Sequence, residues 1–154
     1  MRRHHLVSTV TIRRPVDDVW AFMSDLFNAP RMRGMTLATR NVSPGPIGLG
    51  SVLDNRTAIL GFETHHRFTL IEWDPPRAMV ASLSGPFLRS GRIEAELTAT
   101  PEGTRQVTTT DLELTATGIL LWPLLGRLVR RSQTKSDRTE KALIEASSAD
   151  TAAG

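Results

Sequence analysis

One stretch of this sequence concentrates side chains able to do chemistry: Phe62-Glu-Thr-His-His-Arg-Phe-Thr-Leu-Ile71. Read as a strand, it sends Phe62, Thr64, His66, Phe68 and Leu70 to one face and Glu63, His65, Arg67 and Thr69 to the other. The first face is the apolar one, so it lines whatever interior the protein has and carries His66 inside. An imidazole there, ordinarily titrating near about 6.5, can act as a general base or donate to a ligand carbonyl. It can equally be a histidine satisfied by a neighbouring backbone or hydroxyl group. Neighbouring strand residues point to opposite faces, so neither His65-His66 nor His4-His5 can grip one ion, and no metal is expected. Asp111 shares its parity with Val107, Thr109 and Glu113, whereas Leu112 and Leu114 take the other. That places Asp111 in solvent unless a bulge turns it inward.

A second group of polar side chains falls in a helical pattern. Leu121, Leu125, Leu128, Ser132, Thr139 and Leu143 recur at three-to-four spacing after Gly118, with Arg127, Arg130, Arg131, Arg138 and Lys141 on other faces. This spacing predicts one long helix with Pro123 near its first turn, where a missing N–H costs little. Its middle reads Ser132-Gln-Thr-Lys-Ser136-Asp-Arg-Thr139, where a solid core would want Leu or Ile. Either Ser132, Ser136 and Thr139 leave volume and hydrogen-bonding capacity for an oxygenated ligand, or the stretch is simply exposed. The three arginines after Leu121-Trp-Pro-Leu-Leu125 also read two ways. They could touch an anionic membrane surface, or they face water while the apolar side packs on the rest of the protein.

Composition removes other classes. A chain of 154 residues, 40% hydrophobic and 23% charged, is one globular domain with a real core. The absence of Cys excludes disulfides, thiolate nucleophiles and Cys-ligated zinc. The sequence pI is about 10.5, yet the net charge is only +3. With two Lys and no Tyr or Cys, little titrates between pH 8 and the arginine range, so the pI overstates basicity. The aromatic residues fall at core spacings without an interleaved basic stripe, so no nucleic-acid partner is expected. Gly45-Pro-Ile-Gly48-Leu-Gly50 lacks the phosphate-loop pattern and its Lys, no cofactor is expected, and no Gly-x-Ser-x-Gly elbow exists for a serine hydrolase. The longest apolar run, 118–126, is about half of the roughly 20 residues that cross a bilayer, and Pro123 interrupts it. Met1-Arg-Arg-His-His5 precedes an alternating segment and not an apolar signal core, so a cytoplasmic protein is expected.

The elements that must position these residues follow from the rest of the pattern. Residues 6–13 alternate as a half-buried strand. Arg14-Pro-Val-Asp-Asp18 opens a helix whose Val16, Val19, Trp20 and Met23 share one face, and Asp25-Leu-Phe-Asn-Ala-Pro30 breaks it, with a short turn to follow. Six strands follow, at 36–42, 51–60, 62–73, 78–83, 93–100 and 106–115, separated by Gly and Pro turns short enough for an antiparallel meander. The long helix closes the domain at about residue 146, and the small polar residues 147–154 predict a disordered tail.

Three stretches resemble a known family. Arg14-Pro-Val-Asp-Asp-Val-Trp-Ala-Phe-Met-Ser-Asp25, Gly48-Leu-Gly-Ser51 and Glu72-Trp-Asp-Pro-Pro-Arg77 occur in the order seen in polyketide cyclase/dehydrase-like proteins of the START/Bet v 1-like (SRPBCC) superfamily, and with the final helix the likeness spans about residues 6–146. The resemblance implies an α+β helix-grip fold, a curved antiparallel sheet of about seven strands (β-α-α-β6-α) around the C-terminal helix with an internal cavity. Met32 stands where members often carry Trp beside the pocket. The expected cavity set is Met32, Phe62, Thr64, His66, Phe68, Leu125, Leu128, Ser132, Ser136 and Thr139. The resemblance further implies a hydrophobic, partly oxygenated small molecule, polyketide-, lipid- or quinone-like, as the partner of a monomer or homodimer. Two alternatives stay open: a cyclase, aromatase or dehydratase using His66 as base, and peripheral handling of a lipid or quinone at a membrane.

Overall fold

The computed structural model describes residues 3–32, 35–59 and 61–153, with side chains through residue 146. Alternating side chains make β1 (Arg3–Ile12), with Ile12 fully buried at its inner end. Pro15 then precedes α1 (Val16–Ser24), whose Val19, Trp20 and Met23 are buried as the spacing predicts. Asp25 ends it, its carboxylate accepting from the Phe27 N–H at 3.3 Å, and a 3-10 turn leads into the one-turn α2 (Ala29–Met32). Asn28 is buried there and donates to the Phe22 carbonyl at 3.0 Å, so the Asn-Ala-Pro break is held by the helix it ends.

Six strands then run as an antiparallel meander: β2 (Thr36–Asn41), β3 (Val52–Ile59), β4 (Phe62–Asp74), β5 (Ala78–Gly85), β6 (Leu88–Thr100) and β7 (Gly103–Leu114). β1 adds beside β7, giving one seven-stranded sheet in the order β1-β7-β6-β5-β4-β3-β2. The β6–β7 turn requires glycine at 103, where φ is +144° and a Cβ would stand 2.2 Å from the Ile12 carbonyl oxygen. The last helix, α3 (Ala116–Ala153), lies across the sheet and touches β1, β7, α1 and α2. This is the helix-grip architecture. Trp20 of α1 meets Trp73 of β4 edge to face, ring centroids 5.2 Å apart, so two of the resemblance's stretches pack on each other.

Several boundaries differ from the expectation, three of them with a local cause. β6 starts five residues before 93, because the β5–β6 hairpin closes tightly at the pair Gly85–Leu88. α3 starts at Ala116, with the Thr115 hydroxyl accepting from the Gly118 N–H at 3.2 Å, which puts Pro123 inside the helix and beyond its first turn. α3 also continues through 147–153, the stretch expected to be disordered, and Gly154 lies outside the described residues. Once nucleation is past, each further residue extends an existing helix at little cost, and three of these seven residues are alanine. No helix among the described residues is long and apolar enough to cross a membrane.

The core is a cluster between the sheet, α1 and the far part of α3: Ile12, Val19, Trp20, Leu53, Leu70, Leu97 and Ile144 are among its members. It closes one end of the space under α3. The other end is open.

Candidate functional site

That open end is a chamber of about 580 Å³ between α3 and the concave face of the sheet. It continues into an inner chamber of about 110 Å³ under α1 and α2, the two sharing Asn55, Phe68, Ile93, Thr108, Gln133 and Ser136 as walls. Ligand pockets commonly measure roughly 300–1,000 Å³, so the space is sized for a small molecule.

Its chemistry comes from polar side chains on the buried parity of three strands. On β3, Asn55 and Thr57 share the inward face with the buried Leu53, and both are themselves buried. On β7, Gln106, Thr108 and Thr110 share it with Leu112. On β4, His66, Phe68 and Leu70 face inward. His66 pairs across the sheet with Asn55, placing an imidazole and an amide side by side on one face. The Asn55 Oδ1 is buried with no hydrogen-bond partner. On the other flank His66 lies over Gly85: a Cβ at 85 would stand 2.3 Å from its Cδ2 and 2.8 Å from its Nε2. Glycine at 85 is therefore what leaves room for the ring.

Burial lowers the His66 pKa below its ordinary value, against a smaller raising pull from Asp54 and with a further lowering push from His65. The ring is neutral at neutral pH, with one nitrogen free to accept a proton. His65 points outward, its Nδ1 2.9 Å from the Asp54 carboxylate, and Asp111 is likewise outside, 2.6 Å from the His5 Nδ1.

The inner chamber is more polar toward α3. Asp137 is buried and accepts from the hydroxyl of Ser8 and, at 2.9 Å, from the Gln133 amide. Glu140 accepts from the Gln106 amide at 3.1 Å, which fixes that amide's orientation and leaves the Gln106 Oε1 as an unpartnered buried acceptor.

Of the residues singled out from sequence, Met32, His66, Phe68, Ser132 and Ser136 stand in these walls. Phe62 does not: it is 74% exposed at the β3–β4 hairpin. Thr64 is half-buried, with its hydroxyl turned to the Thr57 carbonyl at 3.4 Å. Leu125 is buried without lining the chamber, and Leu128 is half-buried on the flank of the helix. Thr139 sits on the same flank, its hydroxyl on the Lys135 carbonyl at 2.9 Å. The helix thus presents Val129, Ser132, Gln133, Ser136, Asp137 and Glu140 to the chambers, a face that overlaps the predicted stripe at Ser132 and extends beyond it. Among the described residues no cluster of three or more His, Asp or Glu could hold a metal ion.

A family model described as polyketide cyclase / dehydrase and lipid transport matches residues 3–145. No curated protein matches the chain by sequence. Among solved structures, the Zhui aromatase/cyclase from Streptomyces sp. R1128 superposes with a TM-score of 0.80 over 93% of this chain and 94% of that one, at 18% identity. TTHA0849 from Thermus thermophilus gives 0.79 over 94% and 99%, at 19% identity. A START superfamily protein from Mycobacterium smegmatis gives 0.72 over 91% and 99%, at 14% identity. Likeness at such identities establishes the fold and leaves the chemistry to the site.

Proposed function

Because the chain belongs to the polyketide cyclase/dehydrase and lipid transport family, within the START/Bet v 1-like superfamily, we propose that it holds a hydrophobic, partly oxygenated small molecule between the sheet and α3. The observation that carries this reading is the composition of the walls. Phe68, Leu83, Ile93 and Leu112 supply apolar surface, while Thr57, Thr108, Thr110 and Ser132 supply scattered neutral hydroxyls and Asn55 an unpartnered amide oxygen. Apolar surface drives burial of a carbon skeleton; buried neutral donors and acceptors reward a ligand that carries oxygen at matching positions. A pure hydrocarbon would leave those groups unsatisfied.

The test is displacement of anilinonaphthalene sulfonate fluorescence by naphthol and by naphthalene. Naphthol is expected to compete about five- to tenfold better, the value of one net hydrogen bond. Equal competition, or no dye uptake, contradicts the reading.

A second reading is favoured by the His66–Asn55 pair. A neutral imidazole can take the proton α to a ligand ketone, while the Asn55 amide or the Thr57 hydroxyl donates to the oxygen on which the enolate charge develops. The proton held by His66 then returns to the leaving oxygen in a dehydration. This is cyclase, aromatase or dehydratase chemistry, and it needs no cofactor.

A further inference from the structure

The outer face of α3 is built in two parts. Leu120 and Leu124 are 79% and 50% exposed, and they point the same way as Arg127 and Arg131, since positions i, i+4, i+7 and i+11 lie along one stripe. Lys135 and Arg138 continue the exposed surface, and Arg130 stands at its edge. None of these five cations makes an ion pair among the described residues. The acids of the same segment are elsewhere: Asp137 and Glu140 are buried, and Glu145 is paired with Lys141 at 3.0 Å. The sequence left open whether the apolar side of this segment packs inward. For Leu120 and Leu124 it does not.

The stripe is also rigidly placed. Trp122 stacks on His4 of β1 with ring centroids 4.0 Å apart, and the Thr115 N–H bonds the Phe87 carbonyl at 3.1 Å, so the first turns of α3 are fixed on the sheet with both leucines outward. Arg130 is at once part of the basic surface and part of the wall of the wide chamber, so the stripe adjoins the chamber.

We propose that the stripe from Leu120 to Arg138 docks on an anionic lipid surface. The two leucines enter the headgroup boundary, the cations bind lipid phosphates or carboxylates, and the chamber is set beside the bilayer for exchange of its contents. Charge selects the partner: five cations without an ion pair among the described residues require an anionic surface, and the leucines beside them require one with an apolar layer beneath the charge. An acidic protein or a nucleic acid satisfies only the first condition. The surface does not depend on what the chamber holds, so its test is separate from that of the ligand.

Sedimentation with vesicles tests it. The full chain is mixed with vesicles of phosphatidylcholine alone and of phosphatidylcholine containing about one third phosphatidylserine, at low and at high salt. Binding is expected only to the mixed vesicles and to fall about tenfold or more at high salt. The Leu120→Ser/Leu124→Ser pair and the Arg127→Gln/Arg131→Gln pair should each lower binding about tenfold, and both keep the melting temperature because all four residues are exposed. Arg77→Gln, on the β4–β5 turn, is the control and should change nothing. Three results overturn the proposal: no binding to the mixed vesicles, equal binding to both vesicle types, or loss of binding in the arginine pair with none in the leucine pair. The last would indicate an acidic macromolecule in place of a membrane.

Discussion

Ile144→Ala lowers the free energy of unfolding by about 2 to 5 kcal/mol, whereas Leu143→Ala next to it costs clearly less. Ile144 is 1% exposed and belongs to the cluster that joins Ile12 of β1, Val19 of α1 and Leu53 of β3. It is where α3 closes the solid end of the domain. Truncation removes its transfer free energy and leaves a void among side chains already locked by their own strands and helix, so little of the cavity term is recovered by collapse. Leu143 is half-buried and outside that cluster, so its truncation removes less buried surface. Urea unfolding of both variants measures the difference. A larger loss in Leu143→Ala than in Ile144→Ala would mean that α3 is rotated by about the 100° separating successive residues, which would take Ser136 and Glu140 out of the site.

That rotation is where sequence and structure part. The strand order, the inward face of α1 and the long final helix are legible because alternation and three-to-four spacing of Val, Leu, Ile and Trp mark surfaces that bury apolar side chains. The same logic finds only part of the inward face of α3. Its spacing suggests a stripe through Leu121, Leu125, Leu128, Ser132, Thr139 and Leu143, with Ser136 facing a cavity; Ser132 and Ser136 do line it, but the lining continues through Gln133, Asp137 and Glu140, which that spacing does not mark. Polar residues that face a cavity look like solvent-facing ones to a hydrophobic pattern. Asn55 and Thr57 escape for the same reason, as do Gln106, Thr108 and Thr110. One signal was available: each shares strand parity with a buried leucine, Leu53 on β3 and Leu112 on β7. Phe62 is the opposite error. It has the right parity and an apolar side chain, but parity does not say how far along a hairpin the cover extends.

His66→Phe removes about 10²- to 10⁴-fold in turnover if the site is catalytic, while affinity for an apolar ligand stays within a few-fold. The substitution keeps an aromatic ring over Gly85 and deletes both ring nitrogens, the proton acceptor and the N–H donor. His65→Phe changes neither quantity, because that ring points outward. The acid limb of the rate profile should lie below the ordinary histidine pKa, since burial lowers that of His66. Stability moves in the same direction: between the folded and unfolded pKa values the unfolded chain binds more protons. The contribution of His66 is therefore present above about pH 6.5 and lost as pH falls through the lowered folded value. An acid limb unchanged between wild type and the His66 variant would assign the titration to another group. Retained turnover in His66→Phe leaves the binding reading alone.

The central claim, a ligand held under α3, is tested most directly by native mass spectrometry of the protein purified from its own host, beside a Ser136→Trp variant. Ser136 is 6% exposed and lines both chambers, so an indole there fills the space between them. The account predicts a non-covalent adduct on the wild type whose mass matches a hydrophobic, oxygen-bearing compound, and its loss in a Ser136→Trp protein that still unfolds cooperatively. A bare wild-type mass under conditions that preserve non-covalent complexes, or an adduct that survives Ser136→Trp, would contradict it.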